Sequence, residues 1–200
     1  MENNSFLEKG PPTLVLASAS PRRREYIELL GILFECKAAE IDETVASSLS
    51  PAEHAVQVAK RKALAVADKC KKRYVLGADT IVVYDGRVLG KPKDKADAFN
   101  MLMLLQGHAH EVYTGLCLVT PQGKEYLDYH CTHVWMASMD EEQIQNYIAT
   151  NEPMDKAGAY GIQGRGAAMI ERIDGCYFNV VGLPIYGTRM LLKKAGYPIK

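Results

Sequence analysis

Apolar and polar positions along the chain follow two different periods, and the period changes repeatedly from one segment to the next. Short alternating or continuous apolar runs predict strands, whereas apolar positions three and four residues apart predict helices. The predicted strands are 13–17, 34–39, 74–77, 80–84, 87–90, 111–119, 125–136 and 167–173. The predicted helices are 21–30, 51–71, 95–106, 138–150 and 184–195.

Two turn sequences lie between strand-like runs and predict hairpins: Asp85-Gly86 and Pro121-Gln122-Gly123. Hairpins make antiparallel pairs, while alternating strands and helices favour parallel pairs. We therefore expect an α/β fold with a mixed, twisted sheet and helices on its faces. No repeat or linker divides the chain, so residues 13–200 are expected to form one domain after a disordered lead-in at residues 1–12.

The composition is ordinary for a soluble globular protein. The 200 residues include 24 basic and 24 acidic side chains, and this balance argues against a nucleic-acid or membrane-surface partner. No apolar run has the length of a membrane span, and the polar start has no signal-peptide core. The five cysteines form no C-x-x-C pair, which favours reduced thiols and a cytoplasmic location.

Segment 16–24 reads Leu-Ala-Ser-Ala-Ser-Pro-Arg-Arg-Arg and joins a predicted strand to a predicted helix. Ser20 is placed to cap that helix, and Pro21 suits its first turn. The helix dipole favours acidic residues at this end, yet the turn carries Arg22 and Arg23. Hydroxyl, N–H and guanidinium groups together suit a polyphosphate. The alternative is a basic helix end that faces solvent.

Asp79 is the one charged residue in segment 74–84, which otherwise has the composition of a buried strand. A buried carboxylate is costly unless it meets a cation or takes part in chemistry. Carboxylates together with phosphate oxygens are common ligands of Mg²⁺, so Glu43 in the acidic turn 40–43 is a candidate partner. The alternatives are a strand-end aspartate that caps a turn and a solvated loop glutamate.

Two lysines and a glutamine are further candidates for binding a nucleotide. Pro92 fixes an extended backbone at Lys91, and Lys62 lies on a predicted helix; either ammonium suits a phosphate, although such lysines are often solvent-exposed. Gln163 lies in the glycine-dense segment 158–166, where the backbone can approach a ligand and an amide can read a base edge. A flexible connecting loop is the alternative there.

Several short motifs, taken in order, resemble those of the Maf family of nucleoside triphosphate pyrophosphatases. They are Ser18-Ala-Ser20-Pro21-Arg22-Arg23, Ile41-Asp42-Glu43, Ala59-Lys60-Arg61-Lys62-Ala63, Gly77-Ala78-Asp79-Thr80, Gly90-Lys91-Pro92, Gly158-Ala-Tyr160-Gly161-Ile162-Gln163-Gly164 and Asn179-Val-Val-Gly182-Leu183-Pro184. The resemblance spans nearly the whole chain. It implies a homodimer whose fold, similar to that of inosine triphosphatases, has two lobes around a central cleft.

The resemblance also implies an activity, the Mg²⁺-dependent hydrolysis of dTTP and UTP to the monophosphate and pyrophosphate, with Mn²⁺ as another possible cation. Family members acting on 7-methyl-GTP differ after the aspartate and in the glycine loop. Carried over residue by residue, Asp79 is the general base and Glu43 and Asp79 are the metal ligands. The residues implied to bind substrate are Ser18, Arg22, Arg23, Lys62, Thr80, Lys91 and Gln163. Among them, Arg23, Thr80 and Gln163 are implied to select the pyrimidine.

Two other functions are compatible with the same residues. One is a nucleotide-sensing regulator of cell division that binds without turnover. The other is a house-cleaning pyrophosphatase for modified pyrimidine nucleotides or other non-standard nucleotides such as 7-methyl-GTP. Carboxylates beside cationic groups favour catalysis over sensing.

Overall fold

The computed structural model describes residues 13–46 and 48–199, so the predicted lead-in at residues 1–12 lies outside the described residues. The strands are β1 Leu14–Leu16, β2 Phe34–Cys36, β3 Val75–Tyr84, β4 Arg87–Leu89, β5 Ala109–Val119, β6 Glu125–Met136 and β7 Ile170–Asp174. The α-helices are α1 Pro21–Glu28, α2 Pro51–Ala67, α3 Lys95–Leu105, α4 Glu141–Ala149, α5 Tyr177–Val181 and α6 Ile185–Lys194. Three 3₁₀ helices, Glu152–Asp155, Ala157–Ala159 and Gly164–Met169, lie between α4 and β7. None of these helices has the length and hydropathy of a membrane span.

The strands form one mixed sheet in the order β2-β1-β3-β5-β6-β7, with β4 paired to β3. β1 is parallel to β2 and β3, whereas the pairs β3–β4, β3–β5, β5–β6 and β6–β7 are antiparallel. Asp85 and Gly86, which join β3 to β4, have φ angles of 48° and 71°, as a two-residue hairpin turn requires. The predicted mixed sheet is therefore confirmed.

Helix α2 covers one face of the sheet because small residues let it approach closely. Ala59 and Ala63 are fully buried against β3, and Gly77 lies directly beneath them. A Cβ at Gly77 would collide with the Ala59 carbonyl oxygen, so the glycine is needed for this approach. The close packing brings the side chains of α2 within reach of polar groups on β3.

Two apolar clusters on the opposite face occupy the two ends of the long strands. One contains Leu76 of β3 and Leu118 of β5, and the other contains Val82 of β3 and Val112 of β5. The paired residues Thr80 and Thr114 lie between these clusters in the register of the two strands. Each cluster is the core of one lobe, and the lobes meet around the middle of β3.

The structure corrects the prediction of two strands at 74–77 and 80–84. β3 continues from Val75 to Tyr84, and Asp79 lies in its middle rather than at a strand end. Asp79 is 7% exposed and pairs with Gly115 of β5. The ladder to β5 is unbroken here. Asp79 stays within the strand because its side chain pairs with the ammonium group of Lys62 on the overlying helix α2.

The region after α4 also differs from the sequence prediction. Strand β7 begins at Ile170, three residues later than the predicted run 167–173. The Glu152 carboxylate accepts hydrogen bonds from the backbone N–H groups of Arg165 and Gly166, which holds this segment in a 3₁₀ helix. Helix α5 was not predicted; its five residues are too few for a helical period to show in the sequence.

Candidate active site

A gap along one edge of β3 opens the cleft between the two lobes. β1 pairs with β3 at Val75 and Leu76, and β4 pairs with it from Val82 onward. Among the described residues, the stretch 77–81 has no strand partner on this side, and a cavity of about 680 Å³ opens beside it. Ligands of open α/β sheets bind in crevices of this kind, beyond the carboxyl ends of strands.

The structure brings every residue that the sequence singled out as a site residue to this one cavity. They are Ser18, Arg22, Arg23, Glu43, Lys62, Asp79, Thr80, Lys91 and Gln163. Their roles in binding and catalysis stay predictions.

The turn between β1 and α1 forms one wall of the cavity. Ser20 caps α1, its Oγ accepting a hydrogen bond from the N–H of Arg23 at 3.4 Å, and Pro21 occupies the first turn as predicted. Ser18 Oγ accepts a hydrogen bond from the N–H of Ser20 at 3.2 Å, so the turn is stabilised from within. Its local geometry places Arg22 and Arg23 at the cavity.

Arg23 is held firmly by three partners. Its Nε donates to the carbonyl oxygen of Gly182 at 2.8 Å, and its guanidinium also donates to Thr80 Oγ1 at 3.0 Å and Ser18 Oγ at 3.4 Å. Burial lowers the pKa of Arg23, and the nearby carboxylate of Asp79 opposes that shift. A guanidinium fixed in this way presents a rigid set of donors to a ligand.

A series of hydrogen-bonded hydroxyl groups continues from Arg23 into the sheet. Thr80 Oγ1 lies 2.9 Å from Thr114 Oγ1, and Thr114 donates to the carbonyl oxygen of Asn179 at 3.0 Å. Since the hydrogen of Thr114 is used by Asn179, Thr80 must be the donor to Thr114. The Thr80 hydrogen therefore points into the sheet, and its oxygen faces Arg23.

Lys62 joins the two predicted acids on the other face of β3. Its Nζ lies 2.7 Å from Asp79 Oδ1 and 2.8 Å from Glu43 Oε1. The Lys62 and Asp79 side chains are 11% and 10% exposed, whereas that of Glu43 is 60% exposed. The arrangement therefore has a nearly buried ion pair at its base and a second carboxylate at its rim.

The pair of carboxylates fits the donor set of a magnesium ion. Asp79 and Glu43 both contact the Lys62 ammonium, so their oxygens already face one shared point of positive charge. The described residues contain no cluster of three or more metal-ligating side chains. Mg²⁺ keeps several waters and commonly uses one or two carboxylates plus substrate phosphates, so the pair suits this ion.

Asp155 crosses the cavity to meet an arginine of α1. Its Oδ2 lies 3.1 Å from Arg22 Nη1, and its Oδ1 lies 2.7 Å from Lys156 Nζ. Desolvation opposes ionisation of Asp155, but hydrogen bonds from Lys156 and Arg22 outweigh it and hold the pKa of this carboxyl below its ordinary value. The predicted phosphate ligand Arg22 is thus paired with an acid of the facing segment.

Gln163 and Lys91 occupy the remaining sides of the cavity. Gln163 Nε2 donates to the hydroxyl oxygen of Tyr26 at 2.6 Å. Lys91 is exposed and follows Gly90, whose carbonyl oxygen accepts a hydrogen bond from Gly158 at 3.0 Å. This backbone hydrogen bond ties the segment that carries Lys91 to the glycine-dense segment that carries Gln163.

Sequence reasoning missed several residues that hold the site together. Tyr26 positions Gln163, Asp155 pairs with Arg22, and the carbonyl oxygens of Asn179 and Gly182 anchor Thr114 and Arg23. One signal was available for Tyr26, because it lies three residues after Arg23 and therefore shares a face of α1 with it. Asn179 and Gly182 belong to a family motif but were given no role, and the pairing of Asp155 with Arg22 depends on a contact that no local pattern predicts.

Guanidinium and ammonium groups beside a carboxylate pair, in one cleft, are typical of proteins that bind and hydrolyse phosphate esters with a divalent metal. The comparison with protein families agrees with this class. The chain belongs to the Maf-like protein family, whose model matches residues 13–195.

Several bacterial relatives are similar over most of their length. A dTTP/UTP pyrophosphatase of Pelotomaculum thermopropionicum is 49% identical over 93% of this chain and 98% of the relative. Another protein of that name, from Symbiobacterium thermophilum, is 53% identical over 93% of this chain and 95% of the relative. The solved structure of the Staphylococcus aureus Ham1 protein aligns with a TM-score of 0.47 and 16% identity, over 79% of each chain. So distant a structural match says nothing about activity.

Proposed function

We propose that this protein is a nucleoside triphosphate pyrophosphatase that hydrolyses dTTP and UTP to the nucleoside monophosphate and pyrophosphate. One observation carries the proposal: the nearly buried Asp79 carboxylate shares a cavity with Arg22, Arg23 and Lys91. The relatives named dTTP/UTP pyrophosphatase, about half identical to this chain, support the substrate class.

The two ends of the nucleotide occupy different parts of the cavity in this proposal. Ser18, Arg22, Lys62 and Lys91 take the phosphate side, where hydroxyl and cationic groups offset the charge of the triphosphate. The base lies against Arg23, Thr80 and Gln163, which the hydrogen bonds to Gly182, Thr114 and Tyr26 hold in place. A fixed set of polar groups is what recognition of a base edge requires.

Asp79 acts as the general base of the proposed reaction. It accepts a proton from a water molecule whose oxygen attacks the α-phosphorus, and the bond from this phosphorus to the bridging oxygen breaks. Pyrophosphate leaves with the electron pair of that bond, and its charge is met by the arginine and lysine side chains. Lys62 orients the Asp79 carboxylate through their 2.7 Å contact.

Asp79 and Glu43 are the residues that would hold a divalent cation, Mg²⁺ or another such as Mn²⁺, since both carboxylates lie beside the same ammonium group, that of Lys62. When bound, the cation supplies charge neutralisation for the phosphate oxygens. Lys62 remains beside the two carboxylates and limits the negative charge of the site when no cation is present.

The setting of the activity is also a proposal. We infer that the protein works as a homodimer in the cytoplasm and removes nucleotides as a house-cleaning enzyme. The five free cysteines of the described chain support a reducing compartment. No nucleic acid or membrane is needed as a partner, in keeping with the balanced charge.

Product analysis tests the proposal directly. The protein is incubated with UTP and Mg²⁺, and phosphorus NMR follows the products; we expect UMP and pyrophosphate, and no turnover with excess chelator. A panel of dTTP, CTP, inosine, 7-methylguanosine and 5-substituted pyrimidine triphosphates then ranks the substrates. Formation of UDP and inorganic phosphate would contradict the reaction. Tight nucleotide binding without any product would favour the sensing regulator.

A further inference from the structure

Helix α1 carries the base-side arginine and an aromatic residue on one face. Arg23 and Tyr26 are three residues apart, which places their side chains next to each other on the helix. Tyr26 is 9% exposed, and its ring packs edge-on against Phe178 of α5 with centroids 5.3 Å apart. The position of the Tyr26 ring is therefore fixed by apolar packing, independently of its hydroxyl group.

The Tyr26 hydroxyl group fixes the direction of the Gln163 amide. Gln163 Nε2 donates to this oxygen at 2.6 Å, across 137 residues of sequence. Desolvation raises the pKa of Tyr26 and contacts with Tyr177 raise it further, whereas the hydrogen bond from Gln163 lowers it. In the contact with Gln163 the amide nitrogen is the donor and the Tyr26 oxygen is the acceptor.

The amide consequently has one polarity toward the cavity. With Nε2 turned to Tyr26, Oε1 is the amide atom that remains to accept a hydrogen bond from a ligand in the cavity that Gln163 lines. If the amide could rotate freely, it would offer either an acceptor or a donor to the same ligand atom. Such an amide would discriminate poorly between bases.

The other two base-side groups already have one polarity toward a ligand. Arg23 has N–H donors and no acceptor. The hydrogen of Thr80 is directed to Thr114, so its hydroxyl group offers a ligand only the lone pair that the bond from Arg23 leaves. Uracil and thymine carry a donor at N3 and a carbonyl oxygen at C4, where cytosine carries an acceptor and an amino group; all three share the carbonyl oxygen at C2. A fixed acceptor that faces N3 therefore favours uracil and thymine over cytosine.

We propose that Tyr26 is a positioning residue which, through its hydroxyl group, fixes Gln163 Oε1 as the acceptor for the N3–H of uracil or thymine and so disfavours cytosine. The inference rests on the proposed function for its ligand, a pyrimidine nucleotide. It adds a residue outside the cavity lining to the recognition of the base, and it assigns a direction to the Gln163 amide.

Binding of non-hydrolysable nucleotides tests this inference without requiring turnover. Isothermal titration with Mg²⁺ gives the Kd of α,β-methylene UTP and of α,β-methylene CTP for the wild-type protein and for Tyr26→Phe. We expect the wild type to prefer the uracil analogue. Phenylalanine retains the packing on Phe178, so Tyr26→Phe should fold normally and reduce that preference by about fivefold, the effect of one neutral hydrogen bond.

A double-mutant cycle separates positioning from a general effect on the structure. Gln163→Ala should lower the preference by itself, and adding Tyr26→Phe to it should change nothing further. Tyr74→Phe is the matched control, because it removes a hydroxyl group from the same apolar cluster outside the cavity and should keep the wild-type ratio.

Three results would overturn the inference. The wild type could bind both analogues equally, or Tyr26→Phe could keep the wild-type ratio of the two Kd values. Tyr26→Phe could also change that ratio as much in the Gln163→Ala background as it does in the wild type. The product analysis with UTP stands apart from these measurements. Absence of pyrophosphate there contradicts the proposed function while the binding ratios still decide the role of Tyr26.

Discussion

The Lys62 ammonium lies 2.7 Å from the Asp79 carboxylate, and this contact joins helix α2 to the middle strand of the sheet. Both side chains are about nine-tenths buried, so water screens the pair little. The contact is possible because Gly77 lets α2 approach β3 closely. The same packing that stabilises the sheet face therefore positions the acid assigned to catalysis.

Removal of the Lys62 charge should destabilise the fold. In Lys62→Met, Asp79 loses its buried partner and faces Glu43 with no cation between them. We expect the free energy of unfolding to fall by about 3 kcal/mol, as for other broken buried pairs. Urea denaturation measures this loss.

Lys60→Met is the control for that measurement. Lys60 pairs with Glu125 at 2.6 Å, but these side chains are 35% and 29% exposed, so the expected loss is below about 1 kcal/mol. Equal losses in the two variants would show that the Lys62 pair contributes no more than a surface pair.

Asp155→Asn should improve substrate binding. The substitution releases Arg22 from an ion pair in which Asp155 is 61% exposed, so the guanidinium becomes free for a phosphate. Because partly exposed pairs are weak, we expect the KM for UTP to fall about two- to threefold, with kcat little changed. Steady-state kinetics at several UTP concentrations checks this, with Asp68→Asn, outside the cavity, as the control. A higher KM would indicate that the ion pair helps to shape the site.

His110 should make the protein less stable in mild acid. Burial lowers the pKa of His110 to about 4, and its Nε2 lies 2.6 Å from the Tyr160 hydroxyl. Between pH 6.5 and about 4 the unfolded state binds a proton that the folded state does not, so stability falls as the pH falls through this range. The full contribution is about 3 kcal/mol.

His110→Gln lacks this titration and should lose less stability than the wild type between pH 7 and pH 4. Urea denaturation at a series of pH values gives the difference between the two curves. His133→Gln, at an exposed position of β6, is the control for the replacement of a histidine by glutamine. Parallel curves for His110→Gln and the wild type would mean that His110 titrates normally in the folded protein.

Local patterns were sufficient to predict the order of the strands and of the helices other than α5, the hairpin turns and the mixed sheet. They were insufficient at β3, where Gly77 and Asp79 break the apolar run and suggested a boundary. The strand continues because β5 pairs along its length and α2 supplies the cation for Asp79. Tertiary contacts of this kind outweigh local strand propensity, and they cannot be predicted from the local sequence.

The candidate site shows the same contrast between what sequence motifs predict and what tertiary contacts add. The resemblance to the family named the residues that now line one cavity, because family motifs record groups that meet a ligand. The supporting contacts were missed: Tyr26 and Gln163 are 137 residues apart, and Arg22 and Asp155 are 133 residues apart. Only the folded chain brings such partners together.

The Asp79→Asn variant tests the central claim most directly. Its release of pyrophosphate from UTP, with Mg²⁺ present, is compared with that of the wild type, and circular dichroism and thermal melting establish that it is folded. Because the amide cannot accept the proton of the attacking water, we predict a folded protein whose turnover is reduced by at least about 100-fold. A folded variant that releases pyrophosphate at nearly the wild-type rate would contradict the account.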